Sequence, residues 1–376
     1  MGASSAPEPA TLRLRGVHRA IAELRRGTPV LLTGEVPLLL LAAETASASS
    51  LNELAGLAAG PAVLLLAPMR AAAVLQRPVP QNVSAVALSL SDSLLAPATL
   101  LSLADPTVEQ MLPDQPVPTS LPLLAPGALA LVKLARLLPA VLAAPAGPAA
   151  RDAAKTLQLL AVPAEDVLAY PKSLALGLRP VAEAEVPLRS SEHTRIVAFR
   201  APDAGIEHLA ILVGRPEDAP PQGKGAPLVR IHSECFTGDL LDSLRCDCGQ
   251  QLRGAIARMA QDGAGVLLYL AQEGRGIGLV NKLRAYTLQD RGLDTLDANR
   301  ALGWGADERN FMVAATMLDS LGIKRIRLLT NNPDKLAALA ACGMQIEGRE
   351  AHSFAPNGVN DQYLATKAER FGHMLD

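Results

Sequence analysis

Three of the chain's four cysteines, Cys235, Cys246 and Cys248, fall in the stretch HSECFTGDLLDSLRCDCG, among His, Glu and Asp. Thiolates gathered this tightly read as a zinc site. Cys246 and Cys248 are one residue apart, so both can approach a metal from one extended or turning segment, and Cys235 closes the site from upstream. Three protein ligands leave the fourth tetrahedral position open, as in a catalytic zinc, and so point to hydrolysis. A structural zinc would need a fourth ligand, for which His232 or Asp247 is at hand.

Three further motifs follow. After Cys248, GQQLRGAIARMAQDG places Leu252, Ala255, Ile256 and Met259 on one helix face, with Gly263 as the stop, and GVLLYLAQ reads as a strand. The outer thiols would then precede a helix, whose N-terminus favours thiolate over thiol. AQEGRGIGLVNKLRAYTLQDRG is a Gly-rich loop entering a helix at Ile277. Backbone N–H groups freed by Gly274, Gly276 and Gly278, beside Arg275, could hold a nucleotide's polar groups; a plain turn is the alternative. Tyr286 follows Lys282 by four residues, so the two share a helix face.

In LGWGADERNFMVAATMLDSLG, Phe311, Ala315, Leu318 and Leu321 repeat at helical spacing, which predicts a helix N-terminus at Asp307, Glu308 and Arg309. Asp307 as a cap and Glu308 as a first-turn acid would be a structural account. Arg309 opposes the helix dipole there and hints at an anionic partner. IKRIRLLTNNPDKLAALAACG reads as strand, turn and helix, with Asn332 as N-cap, Pro333 at the first position and Gly343 as the stop. Thr330 and Lys335 then lie where α/β enzymes bind phosphate. Cys342 is expected to be a buried thiol without chemistry.

The elements that position these residues divide the chain. Its 376 residues suit two domains, and a net charge of -2 gives no reason to expect nucleic acid or an anionic membrane as partner. No aromatic residue precedes Tyr170, and eight of the ten lie beyond residue 200. Between Pro29 and Ala150 there are only eleven Asp, Glu, Lys or Arg residues and no His or Cys, so metal or acid–base chemistry has almost nothing to use there. That half alternates apolar runs (PVLLTG, PAVLLLAP, VSAVALSL) with helical stretches (SLNELAGLAAG, ALALVKLARLLPAVLAA), which predicts an α/β domain with a buried sheet. Polar residues replace this texture near Leu178. The fold class expected is α/β (α+β), two domains, each a mixed sheet with packed helices.

Four cysteines, three of them clustered, do not make a disulfide framework and suit a reducing compartment. The start, MGASSAPEPATLRLRG, has no signal-peptide core, and Ala6 does not suit myristoylation. Pro122, Pro126, Lys133, Arg136 and Pro139 break the most apolar segment, so no membrane span is expected and a cytoplasmic location is.

Taken together, RIHSECFTGDLLDSLRCDCGQQL, QEGRGIGLVNKLRAYTLQDRGLDTLDANRALGWGADERNF, LLTNNPDK and YLATKAERFGHML resemble GTP cyclohydrolase II, over about residues 178–376. The resemblance implies a homodimeric α/β enzyme with one Zn2+ per subunit and Mg2+ on the triphosphate. It would open the imidazole ring of GTP at C8 in the first step of riboflavin biosynthesis. Formate and pyrophosphate leave, and 2,5-diamino-6-(ribosylamino)pyrimidin-4-one 5'-phosphate remains. It makes Cys235, Cys246 and Cys248 the zinc ligands, Arg309 the nucleophile toward the α-phosphorus and Asp307 the proton acceptor. A guanidinium is almost always protonated and needs such a base. GTP contacts implied are Arg230, Ile231, His232, Ser233, Glu234, Gln251, Glu273, Gly274, Arg275, Thr295, Thr330 and Lys335. Tyr286 matches the active-site tyrosine that favours full deformylation; a relative that stops at the formamidopyrimidine is the alternative.

A second resemblance covers residues 1–177. VHRAIAELRRGTPVLLTGE is similar to the opening of 3,4-dihydroxy-2-butanone 4-phosphate synthase. That family follows with a dense acidic stretch and later a His, whereas this chain has GEVPLLLLAAETA, with Glu35 and Glu44 only, and no His between His18 and His193. A degenerate domain that keeps the fold without synthase activity is expected, with a role in dimer packing or stability.

Overall fold

The computed structural model describes residues 9–374 apart from residues 81, 111, 157, 203–204 and 218–224. The extreme N-terminus, read above for targeting signals, and most of the Pro/Gly loop ahead of Leu228 lie outside the described residues. The chain forms two compact units. One runs to Tyr170 and takes in Val280–Ala306; the other holds Pro171–Leu279 and resumes at Asp307.

In the first unit the order is α1 (Pro9–Arg26), β1 (Val30–Thr33), β2 (Leu38–Ala42), α2 (Ala48–Leu57), β3 (Val63–Leu66), α3 (Pro68–Leu75), β4 (Val86–Ser89), α4 (Pro97–Ala104), β5 (Val117–Thr119), α5 (Ala125–Leu134), β6 (Ala140–Pro145), α6 (Pro148–Lys155) and β7 (Leu160–Pro163). Helix α7 (Ala164–Leu176) leads out of it. The strands make a mixed sheet in the order β5-β4-β3-β6-β2-β1-β7. Its central strands are buried on both faces, which is why they read as unbroken Leu, Val and Ala runs.

The run ALALVKLARLLPAVLAA is not one helical stretch. It splits into α5 and the central strand β6. Arg136 takes a left-handed backbone with φ 56 and Pro139 cannot continue a helix, so the chain turns and PAVLAA enters the sheet. Composition alone does not separate a buried helix from a buried strand.

The second unit is built from β8 (Arg179–Glu185), β9 (Thr194–Arg200), β10 (Glu207–Val213), β11 (Leu228–Ser233), α8 (Cys248–Asp262) and β12 (Gly265–Leu270). Helices α9 (Leu279–Asp290) and α10 (Thr295–Ala301) belong to the first unit save for Leu279. Then come α11 (Met312–Ser320), β13 (Arg325–Leu329), α12 (Pro333–Ala341), β14 (Gln345–Glu350) and α13 (Asp361–Phe371). The sheet order is β14-β13-β11-β12-β10-β9-β8. Pairs β14/β13, β13/β11 and β11/β12 are parallel, and the remaining pairs are antiparallel. Each unit is thus a mixed sheet with packed helices. In an open α/β sheet ligands bind beyond the carboxyl ends of parallel strands. Beyond β11 comes Cys235, beyond β12 the loop Glu273–Gly276, and beyond β13 Thr330 and Lys335.

Helix α9 is fastened within the first unit by charge. Arg284 donates through Nε to Asp105 at 2.7 Å and through Nη2 to Glu44 at 2.9 Å. Asn281 donates to the Arg136 carbonyl at 3.0 Å, and Arg291 to the Thr107 carbonyl at 3.0 Å. Trp304, the chain's single tryptophan, is buried in the same unit, with the Lys133 ammonium 5.6 Å from its ring centre. Arg284→Ala removes the cation that two largely buried carboxylates share, which should cost about 3 kcal/mol. Trp304 emission should shift to longer wavelength at a clearly lower urea concentration; an unchanged midpoint would refute the anchoring.

Candidate active site and metal centre

Cys235, Cys246 and Cys248 come together as the sequence spacing predicts. Their sulfurs all lie within 4.8 Å of one another, and those of Cys235 and Cys246 are 3.8 Å apart. A tetrahedral zinc with bonds of about 2.3 Å needs sulfurs about 3.8 Å apart, so the triad fits that ion. Among the described residues no fourth His, Asp, Glu or Cys joins the set. Among the thiols, Cys248 is pushed well up by hydrogen bonds with Cys235 and Cys246, then by burial, and Cys246 is pushed up by its bond to Cys235 against the opposing bond to Cys248. A cation is what allows all three to ionise.

The turn that presents Cys235 is organised by Asp239, which the sequence did not single out. Asp239 accepts from the Cys235 N–H at 3.0 Å and the Tyr269 hydroxyl at 3.0 Å, and its own N–H donates to the Cys235 carbonyl at 2.7 Å. His232 Nε2 lies 3.0 Å from the same carboxylate and its ring stacks on Tyr269. Burial lowers the His232 pKa against the pull of Asp239, so the ring is neutral and donates its Nε2–H to the carboxylate. Gly238 sits against the sulfurs: a Cβ there would lie 2.7 Å from Cys246 Sγ and 3.0 Å from Cys235 Sγ.

Asp247, the other candidate fourth ligand, is not part of the sulfur group and has other partners. Its Oδ1 accepts from Lys367 Nζ at 2.6 Å and its Oδ2 from Gln251 Nε2. Gln251 Oε1 accepts in turn from Arg230, whose Nη1 donates to the Leu329 carbonyl at 2.9 Å. Arg230 Nε is buried without a hydrogen-bond partner among the described residues. Burial opposes the Asp247 charge, but Lys367 outweighs it and holds the carboxyl below the usual range.

Beside this network stands an array of cations. Lys335 is buried and donates to the Ile231 carbonyl at 2.9 Å. Burial, then the charges of Arg309 and Arg230, depress it well below an ordinary lysine. Arg275 is depressed by burial too, despite Tyr363. Thr330 is buried at the end of β13, and its hydroxyl accepts from the Asn332 N–H at 3.1 Å. Such a group of mutually repelling cations calls for an anion of high charge.

Arg309 and Asp307 form a two-bonded ion pair: Nε donates to Oδ1 at 2.8 Å and Nη2 to Oδ2, while Nη1 lies 3.4 Å from Ser233 Oγ. Burial alone would raise the Asp307 pKa; the Arg309 bonds and the Arg309 and Arg275 charges reverse this, so the carboxyl is held below its ordinary value. The triplet is not a helix N-terminus. Helix α11 starts at Met312, Asp307 caps nothing, and the turn is held by Asn310 accepting from the Met312 N–H at 3.1 Å. The residues lie outside any helix or strand, and Glu308 N–H donates to the Arg275 carbonyl at 3.0 Å.

The Gly-rich loop differs from expectation in another way. Gly274, Gly276 and Gly278 all take positive φ, as does Arg275, yet their N–H groups are occupied, by Glu273 Oε1 and by the Gln272 and Glu273 carbonyls. The loop is a tight turn rather than a row of free donors. Its second product is position: Glu273 Oε2 accepts from the Phe236 N–H at 2.7 Å, which ties it to the turn after Cys235. Helix α9 then starts at Leu279, two residues after Ile277. Gly274 N–H and Glu273 are thus engaged in the fold, and the Ile231 side chain lies in the sheet core. Glu234 N–H donates to the Leu270 carbonyl at 2.8 Å.

Cys342 is exposed, not buried. Helix α12 buries Lys335 and Leu339 and ends at Ala341, and the chain next turns inward at Met344.

A family model described as GTP cyclohydrolase II matches residues 179–351. GTP cyclohydrolase-2 of Azospirillum brasilense is 50% identical over 390 residues, spanning 99% of this chain and 98% of that one. This chain belongs to the GTP cyclohydrolase II family. It is therefore a hydrolase of the class acting on cyclic amidine C–N bonds. Some relatives are shorter: GTP cyclohydrolase-2 of Pasteurella multocida (strain Pm70) is 48% identical over 198 residues, 53% of this chain and 88% of that one. Among solved structures, RibBX, a two domain 3,4-dihydroxy-2-butanone 4-phosphate synthase from A. baumannii, aligns with 90% of this chain and 99% of its own at 17% identity. Its TM-score of 0.35 is too slight a likeness to bear on fold or activity.

Of the residues singled out from sequence, those from Arg230 to Cys235, Cys246, Cys248, Gln251, Glu273 to Arg275, Asp307, Arg309, Thr330 and Lys335 lie in the second unit. Tyr286 and Thr295 lie in the first: Tyr286 on α9 with Lys282 Nζ 5.7 Å from its ring centre, and Thr295 opening α10, its hydroxyl accepting from Gln289 at 3.3 Å. Sequence reasoning missed Gly238, Asp239, Tyr269 and Lys367. Asp239 had a local signal, four residues after Cys235; Lys367 had none.

Gly238→Ala should leave the fold intact and lose zinc on dialysis under conditions that leave the parent loaded. Equal metal content in both would refute the packing role. Asp247 and Asp307 have depressed folded pKa values, so their contribution is present above the unfolded value of about 3.9 and lost as pH falls through the folded values. Unfolding of the full chain should ease steeply below about pH 4, and Asp247→Asn should flatten that slope; a parallel profile would count against it.

Proposed function

We propose that the chain hydrolyses GTP to 2,5-diamino-6-(ribosylamino)pyrimidin-4-one 5'-phosphate, formate and pyrophosphate, as the entry step to riboflavin. The observation that carries this is the two-bonded Asp307–Arg309 pair, set among Arg230, Arg275 and Lys335 in the unit that also gathers three sulfurs. Cys235, Cys246 and Cys248 would hold one zinc, which when bound supplies a water of lowered pKa for attack on the imidazole ring. Mg2+ would accompany the triphosphate.

The chain's own groups account for the phosphate end. A triphosphate among Arg230, Arg275, Arg309 and Lys335 meets the anion these cations lack, and it would restore the Lys335 proton that burial and neighbouring charge disfavour. Asp307 holds the Arg309 guanidinium in a fixed plane and stands ready to take its proton, the condition for Arg309 to attack the α-phosphorus. Thr330, Ser233 and the 230–234 backbone line the carboxyl ends of the strands beside it. Tyr286 and Thr295 are assigned to GTP on the family resemblance alone.

Residues 178–376 would carry the cyclohydrolase and residues 1–177 a synthase-like domain without activity. Glu44, one of the two acids left from the expected acidic stretch, is bonded to Arg284 and accepts from the Leu138 N–H at 2.7 Å, which supports a structural use. A cytoplasmic homodimer remains the expected setting. Purified protein given GTP, Mg2+ and zinc should release formate and the diaminopyrimidine, identified by mass spectrometry. Arg309→Ala should lower turnover on the order of 10^3-fold or more with zinc retained. No turnover by the zinc-loaded parent would overturn the proposal.

A further inference from the structure

The open coordination position has a guard. Asp247 stands in the chain between two of the three sulfur ligands, on the same turn that presents them. Zinc accepts carboxylate oxygen readily, at about 2.0–2.2 Å. A buried carboxylate seeks the nearest cation, and its side chain here is 3% exposed. What it meets instead is Lys367, at 2.6 Å and 8% exposed, with Gln251 on its other oxygen. Gln251 is neutral and cannot offset the charge. Lys367 can.

Lys367 is itself held firmly. It lies on α13, whose last turn closes when the Gly372 and His373 N–H groups donate to the Lys367 carbonyl. Its ammonium sits 4.3 Å from the Tyr363 ring centre. Phe371 packs under the Arg275 guanidinium at 3.7 Å, and Met374 N–H donates to the Asn331 carbonyl at 2.9 Å. Asn357, just before the helix, donates to the Leu244 carbonyl at 3.1 Å, two residues ahead of Cys246. The C-terminal helix is therefore docked on the very turn that carries two of the sulfurs.

We infer that Lys367 is a positioning residue that draws Asp247 away from the metal and so keeps the fourth coordination position free for substrate water. Without it, Asp247 would become the fourth ligand and the open site would close into a structural one. This rests on the three-thiolate reading above and adds to it a cause for the opening.

Cobalt(II) in place of zinc reports coordination directly through its visible spectrum, and azide probes for an exchangeable position. The full-length parent should shift its spectrum with azide; a parent that does not would refute the open site itself, not the part played by Lys367. Lys367→Met should bind azide roughly 10- to 100-fold more weakly, with a spectrum changed before azide is added, while Lys367→Arg should behave as the parent does. The double variant Lys367→Met with Asp247→Asn leaves no buried charge unpaired; it should hold cobalt and bind azide again. Azide binding by Lys367→Met equal to the parent's sinks the inference, and so does a double variant that fails to recover it.

Discussion

Three sulfurs within bonding distance of one point repel one another as thiolates, and everything around them answers to that. The Cys235 turn is pinned by Asp239 and by Glu273 through the Phe236 N–H; the Cys246–Cys248 turn is pinned through Asp247. Gly238 leaves the sulfurs room to converge. These supports come from β11, β12 and α13, elements far apart in sequence. The protein thus holds a costly arrangement ready in advance, which is what a site needs if a metal is to bind with a fixed vacancy for water.

Charge is sorted with equal care. Each carboxylate near the sulfurs has a dedicated cation or donor, Asp247 with Lys367, Asp307 with Arg309 and Asp239 with Tyr269 and His232. Among the described residues the hydrogen bonds of Lys335 and Arg230 go to carbonyls and an amide, and Arg230 Nε is buried without a partner. Basic side chains are therefore gathered locally, in a chain whose net charge is slightly negative. A polyanionic substrate fits that gathering; a second protein cation does not.

Sequence made the sulfur triad, the Asn332 cap and the α8 face legible because each is a local pattern: spacing, capping or a period of 3.6 residues. Where sequence reading failed, the deciding contact was distant. Cys342 was placed in the core because its neighbours are apolar, but the helix ends one residue too early. Asp307 was offered as a cap because it precedes a helix, yet its partner is Arg309 and the helix starts later. PAVLAA reads as helix because leucine and alanine suit either state when both faces are buried. Of the two readings that the Gly-rich loop allows, free donors or a plain turn, the turn holds, because Glu273 and Gln272, its own flanking residues, consume the donors. Lys367 could not be found at all, since nothing near it in the chain tells of Asp247.

The path of the chain sets an order of events during synthesis. It enters the second unit at Pro171, leaves at Val280 and returns only at Asp307. When the ribosome has made all three clustered cysteines, the strands β13 and β14 that extend their sheet do not yet exist, nor does the helix that steadies Asp247. The second unit can finish only after the last residues emerge, because its parallel pairing of β11 with β13 spans an excursion into the other unit. Until then the thiols are carried on an unfinished sheet, open to oxidation and to the wrong metal. A nascent chain of this design depends on a reducing surrounding for longer than the finished protein does.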